Sequence, residues 1–416
     1  MAAPVVVSGL AVAGPLGSDL AGFDAALFEG RSAVVARLLE LPGLAPVPIP
    51  VAPAQGFDAA AVASASGVPL DRGSALALDA VRRTLADAGL APRDPSLDPD
   101  RVGVFWGSGM AGASTFDATC RSVYGEARRM RPTTVVTTMP NAPVAEIALA
   151  VGARGAAIGY AAACASSAVA IGEAMLAIRA GRLDLCVVGG SEALLTPGVL
   201  AAWQAMRVLA PLGPTMEAAS ERAPSCVRPF AADRAGFALG EAAAAFVLES
   251  EAHAAARAAP RRHGLLAGYA TNCDASHVTQ PDPAGQARAL RAALRDAGLA
   301  AADIGHVNAH GTATLAGDAA EAASLADVFG PRGVPVSATK AIHGHLLGAA
   351  GAFELAATLR ALAVRRLPPT AHAAASDPAL PIDLVAGAGR GAPLLRHAVC
   401  SSFAFGGTNA VLVASR

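Results

Sequence analysis

The order of helical and extended segments in this chain occurs twice, and this repetition constrains the fold more than any single motif. Residues 81–107 read as a helix ending in Ala-Gly-Leu, a polar stretch, and then the apolar run RVGVFWG. Residues 290–311 read as a second helix ending in Ala-Gly-Leu, a shorter polar stretch, and then IGHVNAHG. Gly89 and Gly298 are suited to end these helices, because glycine adopts the left-handed conformation readily. We therefore expect the same helix–strand–loop unit in both parts of the chain.

A second repetition supports a division of the chain into two similar halves. Residues 240–250 (GEAAAAFVLES) and 406–416 (GGTNAVLVASR) each place glycine before a final apolar strand. The polar, basic run 253–263 lies between the two units and suits a connection. We therefore predict an N-terminal half at residues 1–252 and a C-terminal half at residues 253–416.

Short apolar runs alternate with alanine- and leucine-rich segments of helical length. The apolar runs predict strands at 4–8, 101–106, 184–189, 243–249, 304–308 and 410–414. Helical patterns lie at 74–89, 166–181, 284–297, 318–329 and 348–363. Strands that are apolar along their whole length are covered on both faces, so this alternation predicts an α/β fold of layered sheets and helices.

The composition narrows the class of protein. Of 416 residues, 53% are hydrophobic and only 16% are charged, which predicts a large core and extensive contact between subunits. A formal net charge of −1 and an aromatic content of 4% disfavour nucleic-acid binding, which uses basic surfaces and stacking platforms. No run of about 18 or more uninterrupted apolar residues occurs, so we predict no membrane span.

The cysteines indicate a reducing environment. None of them forms a CxxC pair, which disfavours a zinc site or a dithiol redox centre. They are too sparse for a disulfide scaffold, and a cytoplasmic location is the simplest interpretation. The six cysteines are Cys120, Cys164, Cys186, Cys226, Cys273 and Cys400. The apolar N-terminus has no Lys or Arg before its apolar run, so it fits a buried strand better than a signal peptide.

Cys164 is the first candidate for chemistry. It lies in YAAACASSAVAIGEAMLAIRAG, where we expect a helix to begin at or just after the cysteine, with Ser166 and Ser167 in its first turn. Free N–H groups and the dipole at a helix start favour a thiolate, which exchanges acyl groups readily with thioesters. On the local sequence alone, a small unreactive buried cysteine is the commoner case, and we keep that interpretation for the other five.

Two histidines lie in glycine-containing loops. His310 lies in HVNAHGTATLAGDAAEA, and His345 lies in SATKAIHGHLLGAAGAFE, with Lys340 five residues before it and Glu354 nine residues after it. Since α/β enzymes place chemistry in loops at strand ends, a catalytic role competes here with the structural role usual for an isolated histidine. We retain the structural interpretation for His263, His343, His372 and His397.

A glycine-containing turn, FAFGGTN, precedes the last predicted strand at Phe403–Asn409. Gly406 and Gly407 permit positive φ angles and close approach of the backbone, so the turn can direct N–H groups at an oxygen. An ordinary tight turn explains the same residues equally well.

Together these segments resemble the elongating β-ketoacyl-ACP synthases, type II most closely, within the thiolase superfamily. The resemblance rests on AACASSAVAIGEA with GGSEA, VNAHGTATLAGDAAEA, TKAIHGHLLGAAGAFE and SFAFGGTNAVL, which occur in the family's order. It covers most of the chain from about residue 100 onward, and the first strand. It implies a thiolase-like, five-layered α-β-α-β-α fold of two similar halves, usually assembled as a dimer.

The resemblance also implies roles for individual residues. The implied nucleophile is Cys164, in the N-terminal half. The other implied catalytic residues, in the C-terminal half, are His310, His345, Lys340 and Glu354. The backbone N–H groups of Cys164 and Phe405 are implied as an oxyanion hole, and Phe405 as a gate to the acyl pocket. Implied substrate-binding residues are Thr312 and Thr314 at the phosphopantetheine arm, Met110 at the acyl pocket and dimer interface, and Phe403, Gly406 and Gly407. Implied docking residues for the carrier protein are Arg128, Arg129 and Arg207, for which a solvated face is an equal alternative.

The implied activity is the decarboxylative Claisen condensation of a cysteine-bound acyl group with malonyl-ACP, in fatty acid, polyketide or aryl polyene synthesis. The implied partners are acyl carrier protein and either a second copy of the chain or a related ketosynthase-like chain. No metal and no cofactor is implied, because the substrates are carried on the phosphopantetheine arm of the carrier protein. We therefore predict a cytoplasmic acyltransferase with no nucleic-acid partner.

Three features depart from the family's pattern. Residues 31–73 are shorter and richer in Ala and Pro than usual, His343 stands where a small polar residue is common, and the segment PTTVVTTMPNAP is unfamiliar. These departures bear on the acyl preference and on contacts with the carrier protein, rather than on the reaction.

Three related classes compete with this interpretation. A thiolase needs a second catalytic cysteine near the C-terminus, but Cys400 lies in CSSF, well before the glycine turn. An initiating synthase pairs its cysteine with one histidine and one asparagine, whereas two histidine motifs occur here. A non-catalytic partner of the chain-length-factor type lacks the nucleophile, so Cys164 disfavours this class, which we keep as the alternative function.

Overall fold

The computed structural model describes residues 4–416, so residues 1–3 of the predicted N-terminal half lie outside the described residues. The strands are β1 (Val5–Ala13), β2 (Val35–Leu39), β3 (Val47–Ala52), β4 (Val102–Gly107), β5 (Ala157–Tyr160), β6 (Leu185–Glu192), β7 (Leu239–Gly240), β8 (Ala242–Ser250), β9 (Gly264–Cys273), β10 (His306–Asn308), β11 (Pro335–Ser337), β12 (Arg366–Leu367), β13 (Asp383–Leu384), β14 (Arg390–Gly391), β15 (His397–Phe403) and β16 (Thr408–Ser415). The helices are α1 (Leu20–Glu29), α2 (Ala59–Ser66), α3 (Arg72–Asp87), α4 (Ala113–Cys120), α5 (Thr134–Thr138), α6 (Ala142–Val151), α7 (Ser166–Arg179), α8 (Pro197–Ala205), α9 (Met216–Arg222), α10 (Glu251–Ala256), α11 (Pro283–Ala297), α12 (Leu315–Phe329), α13 (Lys340–His343) and α14 (Ala350–Val364).

The strands of one large sheet follow the same order in both parts of the chain. The sheet runs β13-β11-β10-β15-β16-β9-β1-β8-β6-β4-β5. One wing of the sheet runs outward from β1 as β1-β8-β6-β4-β5, and the other runs outward from β9 as β9-β16-β15-β10-β11, with β13 at its edge. If the five strands of each wing are numbered in chain order, both wings read 1-5-4-2-3. The repeated order of elements predicted from the sequence is therefore present in the topology. The division at residues 252 and 253 falls inside α10 and stays a prediction.

Two central helices separate the two wings of this sheet. Met175 and Ile178 of α7 share one apolar cluster with Leu355 and Leu359 of α14 and with side chains of both wings. Twelve of the fifteen residues of α14 are buried, which explains why its sequence is apolar on every face. Outside the wings, α3 and α6 cover the strands of the first half, and α11 and α12 cover those of the second. The layers therefore alternate as α-β-α-β-α.

The segment Leu347–Val364, which contains α14, is long and apolar enough to meet a length-and-composition criterion for a membrane span. It carries Glu354 and Arg360, and 83% of it is buried inside the protein. A core helix of a folded domain meets the same criterion, and the central layer accounts for the apolar character of this one.

The divergent segment 31–73 forms a small sheet beside the second histidine motif. β2 pairs with β3, and β3 pairs with β7. The chain at His345 extends this sheet, because its N–H donates to the carbonyl of Ala238 (2.7 Å) and its carbonyl accepts from the N–H of Gly240 (2.9 Å). The unusual sequence of this segment therefore forms a support for the loop that carries His345.

Candidate active site

Cys164 lies at a sharp turn immediately before a central helix. The turn is a short 3-10 segment, Ala163–Ala165, and α7 begins at Ser166, as the sequence predicts. Ala163 has a φ of 46°, a left-handed conformation that non-glycine residues seldom adopt. The absence of a side chain at Gly107 allows β4 to approach this turn, since a Cβ there would lie 2.3 Å from the backbone nitrogen of Ser167. The sheet and the helix thus hold the cysteine in one place.

The Cys164 sulfur is surrounded by hydrogen-bond donors, although it is almost completely buried. His345 Nε2 lies 3.0 Å from the sulfur. Burial raises the pKa of the Cys164 thiol to about 12, while the charge of Lys340 and the backbone N–H groups of Phe405 and Cys164 act in the opposite direction. The expected effect of the helix start in favour of a thiolate is therefore opposed by burial. The two N–H groups are those implied as an oxyanion hole.

The hydrogen bonds of His345 determine which of its nitrogens carries the proton. The backbone N–H of Leu347 donates to Nδ1 (3.3 Å), so the proton of the neutral ring lies on Nε2. Burial, followed by the charge of Lys340, lowers the pKa of His345 well below its usual range. The ring therefore presents a neutral N–H donor to the Cys164 sulfur.

His310 carries its proton on the same nitrogen, for a different reason. It follows β10, and Lys340 Nζ lies 3.2 Å from its Nδ1 and 2.6 Å from its carbonyl oxygen. Because an ammonium group can only donate, Nδ1 accepts and Nε2 carries the proton. Burial lowers the pKa of His310 well below its usual range, so this ring is also neutral. Its ring centre lies 5.3 Å from that of His345, in an edge-to-face arrangement.

Two buried carboxylates hold the lysine and the His310 loop. Lys340, the only lysine in the sequence, forms a buried ion pair with Glu354 of α14. Burial raises the pKa of Glu354 to about 7, and Lys340 acts against that rise. Glu321 of α12 accepts hydrogen bonds from the backbone N–H groups of His310 and Gly311, both at 2.8 Å. The charged groups therefore fix the histidine loops and do not contact the sulfur directly.

Replacing Lys340 with methionine is expected to destabilise the protein by about 3 kcal/mol, because Glu354 is left buried without its partner. An unpaired Glu354 keeps its proton in the folded protein but loses it near pH 4.5 when unfolded, so the deficit grows as the pH rises above that value. Urea unfolding at pH 5 and pH 8 measures both effects. The double variant Lys340→Met, Glu354→Leu serves as the control and should regain stability at pH 8. Equal stability of the single variant and wild type at pH 8 would contradict this account.

The cysteine and the two histidines also meet the distance requirement for a metal site. The ligand atoms of Cys164, His310 and His345 lie within 4.8 Å of one another. A histidine ligand must offer an unprotonated nitrogen, but the hydrogen bonds at both Nδ1 atoms leave the protons on Nε2. The donor set therefore fits hydrogen bonding to an acyl group better than metal ligation.

A cavity of about 310 Å³ connects these side chains to the surface. Thr312 and Thr314 line it, as do the turn residues Phe403, Phe405 and Gly407. The hydroxyl groups of the two threonines lie 3.0 Å apart. An open, partly apolar channel that ends at a sulfur can admit a flexible thioester arm.

The structure adds aromatic residues that lie outside the sequence motifs. The ring of Trp203, from α8, stacks on Phe405 at a centroid distance of 6.1 Å, and it meets Phe237 edge-to-face at 5.7 Å. Phe237 in turn packs edge-to-face on His345 at 5.1 Å. The chain has only two tryptophans, and this rarity is the one sequence signal that could have pointed to Trp203.

Several of the predicted site residues lie away from this cavity. Met110 is 49% exposed and does not line it, and neither does Gly406, whose N–H donates to the carbonyl of Val278 (2.7 Å). Arg128 and Arg129 are exposed on a different surface, whereas Arg207 is exposed next to a residue of the cavity mouth. Within one chain, the structure therefore brings the catalytic candidates together but not the docking candidates.

The fold consists of two similar halves, which enclose a cysteine at a helix start with two neutral imidazole donors beside it. This combination defines a condensing enzyme of the thiolase fold. The family model described as "Beta-ketoacyl synthase, N-terminal domain" matches residues 2–254, and "Beta-ketoacyl synthase, C-terminal domain" matches residues 263–374. The chain belongs to the β-ketoacyl synthase family, and it is an acyltransferase of the β-ketoacyl-ACP synthase class.

Similar proteins and solved structures agree with this assignment. Nodulation protein E of Rhizobium sp. (strain N33) is 36% identical over 415 residues, which cover 98% of both chains. The 3-oxoacyl-[acyl-carrier-protein] synthase 2 of Staphylococcus aureus (strain N315) is 34% identical over 349 residues, covering 83% of this chain and 81% of the relative.

Among solved structures, a β-ketoacyl synthase from Burkholderia phymatum STM815 has a TM-score of 0.86 and 33% identity, covering 100% of this chain and 99% of its own. The ishigamide ketosynthase/chain length factor has a TM-score of 0.86 and 29% identity, with the same coverage. The predicted family, fold class and enzyme class are therefore confirmed.

Proposed function

We propose that this protein condenses a Cys164-bound acyl group with malonyl-ACP, releasing carbon dioxide and β-ketoacyl-ACP. The observation that carries the proposal is the 3.0 Å contact between the Cys164 sulfur and His345 Nε2, at the end of a cavity that also reaches His310. The product would serve fatty acid, polyketide or aryl polyene synthesis.

In the first half of the cycle, the Cys164 sulfur attacks the thioester of an acyl-ACP. A C–S bond forms to Cys164, the C–S bond to phosphopantetheine breaks, and the released thiol takes the proton that Cys164 loses. The N–H groups of Cys164 and Phe405 support the tetrahedral oxyanion, each contributing roughly 3 kcal/mol by analogy with other acyl-transfer sites.

In the second half, malonyl-ACP occupies the same cavity. His310 and His345 donate from Nε2 to its thioester carbonyl, so the enolate that forms when carbon dioxide leaves is stabilised. The enolate carbon attacks the Cys164 thioester, so the C–C bond forms and the C–S bond to Cys164 breaks. The expelled thiolate takes up a proton from solvent, since burial disfavours its charged form. The neutral state of both rings suits this role, because each must offer an N–H without surrendering a proton.

Mixing the protein with labelled acyl-ACP and then malonyl-ACP tests the proposal. Mass spectrometry of the peptide containing Cys164 should detect the acyl adduct, and β-ketoacyl-ACP should follow when malonyl-ACP is added. A folded protein that forms no adduct would instead be a non-catalytic partner of the chain-length-factor type. A ketosynthase/chain length factor is among the similar structures, and this observation supports the non-catalytic partner as the second candidate function.

We also propose acyl carrier protein as a partner and a cytoplasmic dimer, with a second copy or a related chain, as the working form. Support comes from the solved structure of a type II polyketide acyl-carrier protein in complex with its ketosynthase, which is 25% identical to this chain with a TM-score of 0.88. The six cysteines are all free in the described residues, which suits a reducing compartment.

Arg207→Glu should raise the KM for malonyl-ACP about tenfold at low salt and leave kcat nearly unchanged, because a charge at the cavity mouth affects encounter with an acidic carrier. Arg295→Glu, at the far end of α11, is the matched control and should leave KM unchanged. Steady-state kinetics at two salt concentrations makes the comparison. If both variants behaved alike, Arg207 would belong to an ordinary solvated face.

A further inference from the structure

The turn that holds the nucleophile has a counterpart in the second half of the fold. Ala163–Ala165 precedes α7, and the 3-10 turn Leu347–Ala349 precedes α14. Both turns begin with a non-glycine residue in the left-handed conformation, with φ angles of 46° and 48°. In this correspondence, Gly348 stands where the other half has Cys164.

A buried carboxylate fills the space in front of Gly348. Glu192, the last residue of β6, accepts the backbone N–H of Gly348 at 3.1 Å and that of Gly109 at 2.6 Å on the same oxygen. Its other oxygen accepts the N–H of Met110 at 3.2 Å and the hydroxyl of Ser108 at 3.1 Å. Four donors therefore converge on one side chain that is almost completely buried.

This carboxylate occupies the counterpart of the proposed oxyanion hole. The N–H of Gly348 corresponds to the N–H of Cys164, and it binds a resident anion instead of a reacting thioester. A Cβ at Gly348 would lie 2.2 Å from the backbone nitrogen of Gly109 and 2.5 Å from the Glu192 oxygen, so a nucleophile cannot be accommodated here. Burial raises the pKa of Glu192 to about 7, and the N–H donors oppose that rise.

The same turn determines the orientation of His345. The N–H of Leu347 is the donor that keeps His345 Nδ1 unprotonated, and the next N–H along the chain, that of Gly348, is held by Glu192. The Glu192 hydrogen bond and the contact that orients His345 are therefore made by adjacent N–H groups of one turn.

We propose that Glu192 is a positioning residue for the condensation, acting through the turn that orients His345. It also ties this turn to the loop Ser108–Met110, which follows β4. The proposal rests on the proposed function, because its effect is defined by the decarboxylation of malonyl-ACP.

Glu192→Gln tests the proposal. An amide nitrogen cannot accept a hydrogen bond, so at least one backbone N–H of this cluster is left without an acceptor in the variant. We expect kcat for decarboxylation of malonyl-ACP, measured as released carbon dioxide, to fall about 10- to 100-fold, with KM within about twofold of wild type. Transfer of the acyl group to Cys164 should change much less, since the Phe405 and Cys164 N–H groups remain in place.

The matched control is Glu249→Gln. Glu249 is another fully buried glutamate with several donors, among them Ser8, His253 and Arg257, and it lies on β8 among residues that do not line the cavity. The Glu249→Gln variant should lose about as much thermal stability as Glu192→Gln, but it should keep the wild-type rate of decarboxylation. This comparison separates positioning from a general loss of stability.

The outcomes distinguish the two proposals. If wild type does not decarboxylate malonyl-ACP, the proposed function fails. If wild type is active and Glu192→Gln is equally active, or if both glutamate variants lose activity in parallel, only the role of Glu192 is overturned. Should Glu192→Gln fail to fold, Ser108→Ala removes a single donor from the cluster, and it should lower kcat for decarboxylation while Glu249→Gln does not.

Discussion

Replacing Cys164 with alanine is expected to reduce condensation by at least about 10³-fold and to abolish the acyl adduct on the protein. The reason is that the sulfur placed to accept the acyl group, beside His345 and the N–H of Phe405, is then missing. Incubation with labelled acyl-ACP, followed by mass spectrometry and a condensation assay, measures both effects.

Cys186→Ala is the matched control for this prediction. Cys186 is also fully buried and its thiol pKa is also raised by burial, but it lies on β6 and does not line the cavity. It should therefore keep both activities. A Cys164→Ala protein that still condensed at the wild-type rate would show that the assigned nucleophile is wrong.

Replacing His345 with alanine is expected to leave acylation measurable, within about tenfold of wild type, but to lower condensation by about 10²- to 10³-fold. Acylation retains two N–H donors at the oxyanion, whereas the enolate loses one of its two imidazole donors. Single-turnover acyl transfer and the release of carbon dioxide from malonyl-ACP, followed separately, distinguish the two steps.

His343→Gln is the control in the same segment. Its ring is buried and neutral, because burial lowers the pKa of His343 to about 3, and its nitrogens bond to Thr339 and to the carbonyl of Gly344. It should lose some stability but little activity. If the His345 variant lost acylation and condensation to the same degree, His345 would act mainly on the sulfur and not on the enolate.

Much of the fold could be predicted because the repeated units carry strong local patterns. All six predicted strands and all five predicted helices coincide with observed elements. β9 and β15 were missed although both lie in the large sheet, because glycine and small polar residues interrupt their apolar runs. Such strands are recognisable only from the neighbours that they pair with.

Several members of the candidate site could be selected from the sequence. Cys164, His310, His345 and Lys340 were selected from their motifs, and the structure brings all four together. Glu192, Trp203 and Phe237 were not selected as site residues, although Glu192 lies in the motif GGSEA, because their roles depend on contacts with residues far away in the chain. Lys340 had an overlooked signal, because it is the only lysine in the chain.

By itself, the amino-acid sequence determined the repeated architecture, the start of the helix after Cys164 and the motifs that carry the candidate residues Cys164, His310 and His345. These properties depend on neighbours along the chain, through helical and strand periodicity and through glycine turns. Only the tertiary structure decided which nitrogen of each histidine carries the proton, which of the two equivalent turns lines the cavity, and what supports His345. Those outcomes depend on contacts of about 3 Å between residues as far apart as Cys164 and His345, which are 181 positions apart and meet only when both halves have packed.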